Sequence, residues 1–290
     1  MKKEYLYAGT SILLWSTVAT TTKLLLGNLN NLQVLWISAF LAGLFLLIVN
    51  IFNGKIRKLK SYTAKDYLIS VLVGMPSTFF YYVFYYAGAD LLPASQAFII
   101  NYLWPVMSIV FACVILKEKI TLKKVIAVLI SFCGVAIVVS GDIMNFNTNM
   151  LLGAIFCMLG AVSYGIFTAL SQKVDYDKSN TNMLSYFASF ILTSVINFVN
   201  GDLFLPGGFE LCGFIWNAVF TMAIANTVWV CALAKGNTAK ISNLAYITPF
   251  LSLVWTSLIL KETLALSSVA GLVVIVLGIV IQLKDEKTKV

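Results

Sequence analysis

The sequence contains no histidine, only five prolines, and charged residues at just 11% of its 290 positions. Each shortage excludes something. Without histidine there is no His-Glu-x-x-His zinc site, no serine–histidine nucleophile and no imidazole proton relay. A soluble domain carries about 25% charged residues. At 11% charged and 60% apolar, a water-facing surface cannot be built over the core. Cys113, Cys133, Cys157, Cys212 and Cys231 form no CxxC pair. That excludes a thiolate zinc site and a disulfide scaffold, and leaves the cysteines as fillers of packing gaps. Disorder and coiled coil are excluded on composition as well.

What is present is apolar sequence in ten blocks, over 5–25, 33–52, 67–87, 92–116, 122–140, 150–172, 182–200, 211–234, 238–260 and 266–283. A helix crossing a bilayer needs about 20 such residues. The expectation is an all-α membrane protein of ten transmembrane helices, with the lipid bilayer as solvent. Met1-Lys2-Lys3 ahead of the first block mimics a signal peptide, but Thr20-Thr21-Thr22-Lys23 and further membrane segments follow, so the block reads as a retained first span. With the N-terminus in the cytoplasm, 18 of the 20 basic residues fall on the inside, leaving only Lys23 and Lys261 outside. Both termini are therefore expected in the cytoplasm of a plasma-membrane protein. The net charge of +8 follows from topology rather than from nucleic-acid binding, with some attraction to anionic lipid.

The two halves repeat. Asn101-Tyr102-Leu103-Trp104-Pro105 and Leu116-Lys117-Glu118-Lys119 match Ala245-Tyr246-Ile247-Thr248-Pro249 and Leu260-Lys261-Glu262-Thr263 at an offset of 144 residues. The same offset pairs Gly9 with Gly153 and Gly134 with Gly278; a slightly larger one pairs Phe40 with Phe190 and Asn50 with Asn200. Each half, 1–145 and 146–290, holds five spans. An odd number turns the second copy upside down, which is the architecture of alternating-access transporters.

Ten spans in two such halves, each closing on a proline-bearing helix, a Leu-Lys-Glu turn and a glycine-bearing last helix, resemble the drug/metabolite transporter superfamily of the EamA type, over about residues 5–283. Asn101-Tyr102-Leu103-Trp104-Pro105 resembles the aromatic amino-acid exporter branch. The resemblance implies a central cavity lined by spans 1, 3, 4, 6, 8 and 9, with spans 5 and 10 as scaffold.

The residues themselves narrow the cargo. No acidic or basic residue lies at mid-span, where a charge costs about 3 kcal/mol or more and is kept only for a function. A proton carrier, a metal site and a counter-ion for a strongly charged solute are all lacking, so transport is expected not to depend on a proton gradient. No cofactor is implied, and an intramembrane enzyme lacks its reacting groups. Aromatic and amide side chains take the place of charge. The candidate cargo contacts are Tyr81 and Tyr82 on span 3, Asn101, Tyr102 and Trp104 on span 4, and Trp15 on span 1. Asn226 and Trp229 on span 8 and Tyr246 on span 9 complete the set. At helical spacing Tyr81 shares a face with Tyr85, and Tyr82 with Tyr86. Tyr164, Asn217, Asn243 and Trp255 are further mid-span polar or aromatic positions. Trp36, Trp216, Tyr5, Tyr7 and Tyr186, near span ends, read as an interfacial belt. Pro105 and Pro249 break their helices and read either as symmetric hinges or as static kinks. Gly134 with Gly141, and Gly271 with Gly278, place small residues seven apart on one stripe of spans 5 and 10, for scaffold packing or for dimerisation. Leu272 reads as lipid-facing. These features point to a transporter or facilitator of small neutral or zwitterionic metabolites, foremost the export of aromatic or bulky amino acids. The alternatives are uptake of a choline-like cation in an aromatic cage and a non-transporting membrane scaffold. The working form is expected to be a monomer or weak homodimer.

Overall fold

The structure, a computed structural model, describes residues 3–140, 148–235, 241 and 244–286; Gly141 and Asn243 lie outside that set. Apart from short turns, the predicted spans are helical wherever they are described, and the described residues contain no strand. Span 1 is α1 (Lys3–Ser16) and α2 (Val18–Leu26), and span 2 is α3 (Asn31–Phe52). Span 3 is α4 (Ala64–Met75), a π-helical turn at Pro76–Phe80 and α5 (Tyr81–Leu91). Span 4 is α6 (Ala94–Asn101) and α7 (Trp104–Ile115). Spans 5, 6 and 7 are the unbroken α8 (Leu122–Ser140), α9 (Thr148–Lys173) and α10 (Lys178–Asn200). Span 8 is α11 (Gly208–Ile215), a π-helical segment at Trp216–Ile224 and α12 (Ala225–Lys235); α13 (Ile247–Ile259) and α14 (Leu266–Glu286) belong to spans 9 and 10.

The interruptions have local chemical causes. At the α1–α2 joint the hydroxyls of Ser16 and Thr17 donate to the carbonyls of Leu13 and Leu14, both at 2.7 Å, in competition with the helical ladder. The same two hydroxyls accept the indole N–H groups of Trp255 and Trp216, both at 2.9 Å. In span 3, Pro76 has no N–H to give, and the hydroxyls of Ser77 and Thr78 both donate to the Gly74 carbonyl. In span 4, Pro105 sits in the first turn of α7 and cannot return a hydrogen bond to Asn101, so the ladder opens at Tyr102-Leu103. A matching turn stands at Ala245-Tyr246, ahead of Pro249.

The 144-residue offset reappears in the backbone. Among the described residues, the non-glycine residues at positive φ are Lys117 at 57° and Lys261 at 56°, one in each Leu-Lys-Glu turn. The same offset carries the π-helical turn of span 3 into that of span 8.

The chain forms two compact units, residues 1–79 with 176–260, and 80–175 with 261–290, each drawing on both halves of the sequence. In the first, α3 lies antiparallel along α10. Phe40 meets Phe190 with ring centroids 5.0 Å apart, the Trp36 indole N–H donates to Ser194 at 2.6 Å, and the Asn50 amide donates to Asn180 at 3.0 Å. At the start of α10, Asp177 caps the backbone N–H groups of Ser179 and Asn180 and pairs with Lys58 at 3.0 Å. Burial pulls the Asp177 carboxyl upward, but the hydrogen bonds from Lys58 and Asn180 outweigh it and hold the group below the usual carboxylate range.

In the second unit α8 lies antiparallel along α14. A Cβ on Gly134 would come within 2.8 Å of the Gly271 carbonyl and 2.7 Å of the Ile275 side chain. One on Gly278 would come within 2.8 Å of the Ala127 carbonyl and 2.3 Å of the Ser131 hydroxyl. Shifted by the repeat offset, the first pair of contacts becomes the second. Gly134, Gly271 and Gly278, the described glycines of the two stripes, thus lie in the contact between α8 and α14.

Several side chains lie elsewhere than the sequence indicated. Leu272 is fully buried, because it sits beside Gly271 on the face that α14 turns to α8. Tyr186 is 4% exposed and belongs to the interior, not to a belt. Of the cysteines only Cys157 fills a buried gap, beneath Gly88; Cys133, Cys212 and Cys231 are exposed, as thiols facing lipid can be, and Cys113 is intermediate.

Gly134→Ala and Gly271→Ala should each destabilise the protein by about 1–3 kcal/mol, because the added methyl meets backbone that cannot yield. Gly9→Ala, with open space around its Cβ position, should be neutral or stabilising. Thermal melts in one detergent check this, and equal melting of all three variants would contradict the packing.

Candidate functional site

The unit formed by 80–175 and 261–290 gathers most of the candidate contacts into one cluster. Helical spacing on α5 stacks Tyr81 on Tyr85, with centroids 5.9 Å apart and planes 16° apart, and sets Tyr82 against Tyr86 at 5.4 Å. Tyr81 also meets Tyr82 at 4.8 Å and Tyr164 of α9 at 5.4 Å, both edge to face. Tyr164 meets Trp104 at 5.1 Å, and Trp104 meets Tyr102 at 6.3 Å. Rings from spans 3, 4 and 6 therefore form a continuous run. Tyr81, Tyr82, Trp104 and Tyr164 keep part of their surface open, while Tyr85, Tyr86 and Tyr102 are buried. Edge-to-face rings of this kind offer an apolar wall with polar tips.

Asn101 lies against this wall at the end of α6. Its amide Nδ2 donates to the Tyr81 hydroxyl at 2.8 Å. Its Oδ1 is buried and has no protein partner, and the Tyr85 hydroxyl is likewise buried without one. The approach is possible because α9 carries Gly160 at this level. A Cβ there would stand 3.2 Å from Asn101 Oδ1 and 3.3 Å from the Tyr81 carbonyl. Farther along α9, Gly165 admits Met107, and Thr168 meets the Ser108 hydroxyl at 3.2 Å. The cluster offers aromatic faces, the amide oxygen of Asn101 and the phenol of Tyr85 as buried groups without a protein partner, and no formal charge among those side chains.

The remaining candidates lie in the other unit. Trp15 and Trp229 meet at 5.2 Å, and Trp229 packs on the buried group of Ala8, Ala232 and Ile241. The Asn226 amide donates back to the Met222 carbonyl of its own span at 2.6 Å. Tyr246 is half-buried at the turn before α13. Pro105 and Pro249 each follow the turn of their own span.

Three participants were missed as site members. Tyr164 joins Tyr81 to Trp104, Gly160 permits the close approach, and Glu262 holds the start of α6. Gly153 and Gly160, seven apart on span 6, are a readable small-residue stripe; nothing in the sequence shows what Glu262 touches. Its repeat mate Glu118 pairs instead with Lys124 at 2.9 Å, beside Cys113 Sγ at 3.5 Å from the same ammonium. Among the described residues no group of three or more Cys, Asp or Glu could hold a metal ion.

Two successive stretches of the chain, 2–140 and 151–283, match the model of the EamA-like transporter family. The chain belongs to the EamA-like transporter family. It is 25% identical to an uncharacterized transporter of Clostridium kluyveri, over 99% of this chain and 95% of that one. It is 21% identical to the aromatic amino acid exporter YddG of Ancylobacter novellus, over 62% of this chain and 63% of the exporter. It is 25% identical to an S-adenosylmethionine uptake transporter of Rickettsia felis, over 63% of this chain and 60% of that one. A crystal structure matches over 99% of both chains with a TM-score of 0.67 at 18% identity, which shows a shared fold. The EamA-like chain is thus an integral membrane transporter for a small molecule.

Proposed function

We infer that this EamA-like transporter exports aromatic or bulky neutral amino acids by alternating access. One observation carries the reading: the uncharged aromatic wall of Tyr81, Tyr82, Tyr164 and Trp104 lies beside an asparagine that is hydrogen-bonded to Tyr81 and whose amide carbonyl has no protein partner. Rings fit the cargo side chain. The Asn101 oxygen accepts from the cargo ammonium while its NH2 stays on Tyr81. Tyr102, which meets Trp104, serves as a further contact. Pro105 and Pro249 act as hinges, because the ladder is open at both places.

Inverted copies are one established basis for alternating access, and the halves 1–145 and 146–290 are read as such copies. Support comes from the antiparallel pairs α3 with α10 and α8 with α14. A two-fold axis relating antiparallel spans is perpendicular to them and so lies in the membrane plane. The basic residues then put both termini inside. In a background without native cysteines, single cysteines at positions 3 and 60 should resist an impermeant maleimide added to intact cells, and one at position 205 should react. The opposite pattern would reverse the topology.

A second reading has its own support. An aromatic cage with a bare amide oxygen also suits an organic cation, and one relative is named for uptake of a sulfonium compound. A thermal-shift screen of the purified protein separates the two, since a true ligand stabilises the state it binds. L-Phenylalanine and L-tryptophan should raise the melting temperature, while choline and S-adenosylmethionine should not; the reverse result would favour the cation. Asn101→Ala, Tyr102→Ala and Trp104→Ala should each weaken binding by about 1–3 kcal/mol, roughly 5- to 150-fold. Val273→Ala, at an exposed position, should bind as the wild type.

A further inference from the structure

Helix α6 begins behind Pro93, whose side chain supplies no cap, and its first residues Ala94 and Ser95 are buried. A buried helix start with unmet N–H groups is costly. Here the partner comes from far along the chain. The Ala94 N–H donates to Glu262 Oε1 at 2.6 Å, and the Ser95 N–H donates to Glu262 Oε2 at 3.0 Å. Both oxygens of one carboxylate are committed to two successive amides at the positive end of the helix dipole, where charge-assisted bonds are strongest.

The turn that brings Glu262 there is itself unusual. Lys261 adopts φ 56°, a left-handed conformation that a lysine holds only when its surroundings impose it. The repeat mate Lys117 has φ 57° and delivers Glu118, but that carboxylate goes to the Lys124 ammonium. The same local backbone thus carries one carboxylate to an ammonium and the other to a helix start.

The far end of α6 carries Asn101, with Tyr102 directly after it. Eight residues at about 1.5 Å of rise each make a rod of about 12 Å. A rod fixed at Ala94 by two hydrogen bonds sets where Asn101 stands against Tyr81. We propose that Glu262 is a positioning residue for the cargo site: its carboxylate pins the buried start of α6 and thereby holds Asn101 and Tyr102 against the aromatic wall. The assignment rests on the cargo reading above for its effect on transport, and on geometry alone for its effect on α6.

Glu262→Gln retains one acceptor oxygen and turns an NH2 toward the other amide, so one of the two bonds is lost. In the full-length protein in nanodiscs, hydrogen exchange should rise about tenfold at the amides of residues 95–98 and also at Tyr102 and Leu103, at the far end of the rod. Adding Pro93→Asp, which places a local N-cap acceptor on the next turn, should restore protection at both ends. For L-phenylalanine flux in proteoliposomes, Glu262→Gln should raise KM several-fold with little change in maximal rate, and Pro93→Asp should bring KM back. Unchanged exchange at 95–98 would overturn the pinning. A rise at 95–98 without one at Tyr102 and Leu103 would reduce Glu262 to a local cap and overturn the positioning role. The exchange arms need no cargo. A wild-type protein that fails to carry L-phenylalanine would count against the cargo assignment, and the exchange data would still decide the role of Glu262.

Discussion

The structure depends on one constraint: in hydrocarbon, every backbone polar group must find its partner inside the protein. Each place where this chain departs from a plain helix shows how that demand is met. At the α1–α2 joint two indole N–H groups come to the hydroxyls that disturb the ladder. In span 3 two hydroxyls come to the Gly74 carbonyl. At the start of α6 a carboxylate from a distant turn meets two amides. Departures that cost this much to satisfy fall on spans 1, 3, 4, 8 and 9, which carry the candidate cargo contacts apart from Tyr164 of the unbroken span 6. Spans 5, 6, 7 and 10 run unbroken and supply glycine and hydroxyl faces for packing.

The same constraint shapes the chemistry of the site. A buried charge would need a counter-charge, and the cluster around Asn101 has none among its side chains. On the proposed function, recognition is left to aromatic faces and single hydrogen bonds, so the proposed site would discriminate by shape and by the fit of one amide rather than by charge. Gly160 helps to set the site as well, because a Cβ there would press on the Asn101 amide oxygen and the Tyr81 carbonyl and displace them by a few tenths of an ångström.

Much of this is legible in the sequence, because the strongest signals are periodic. The ten apolar blocks, the stacking of Tyr81 on Tyr85 and of Tyr82 on Tyr86, and the matched Leu-Lys-Glu turns all follow from spacing along the chain. Tyr102, Trp104 and Asn101 stand with Tyr81 as a cluster, although their separation in sequence gives no hint of which ring lies between them; that ring is Tyr164. What spacing cannot convey is the direction in which a face points. Leu272 looks like any lipid-facing leucine until Gly271 beside it is seen against Gly134. Tyr186 lies near a span end and is still interior. Exposed cysteines are unremarkable in lipid, so hydropathy alone does not separate Cys133 from the buried Cys157. Glu262 is the clearest case, since its partners are reached only through the folded chain.

The central claim is that an uncharged aromatic site moves a neutral amino acid without a proton relay. The most direct measurement is efflux of radiolabelled L-phenylalanine from proteoliposomes containing the purified protein, with and without a protonophore. The account predicts protein-dependent efflux down the amino-acid gradient that continues unchanged when the proton gradient is collapsed. No efflux above protein-free vesicles, or efflux that stops with the proton gradient, would contradict it.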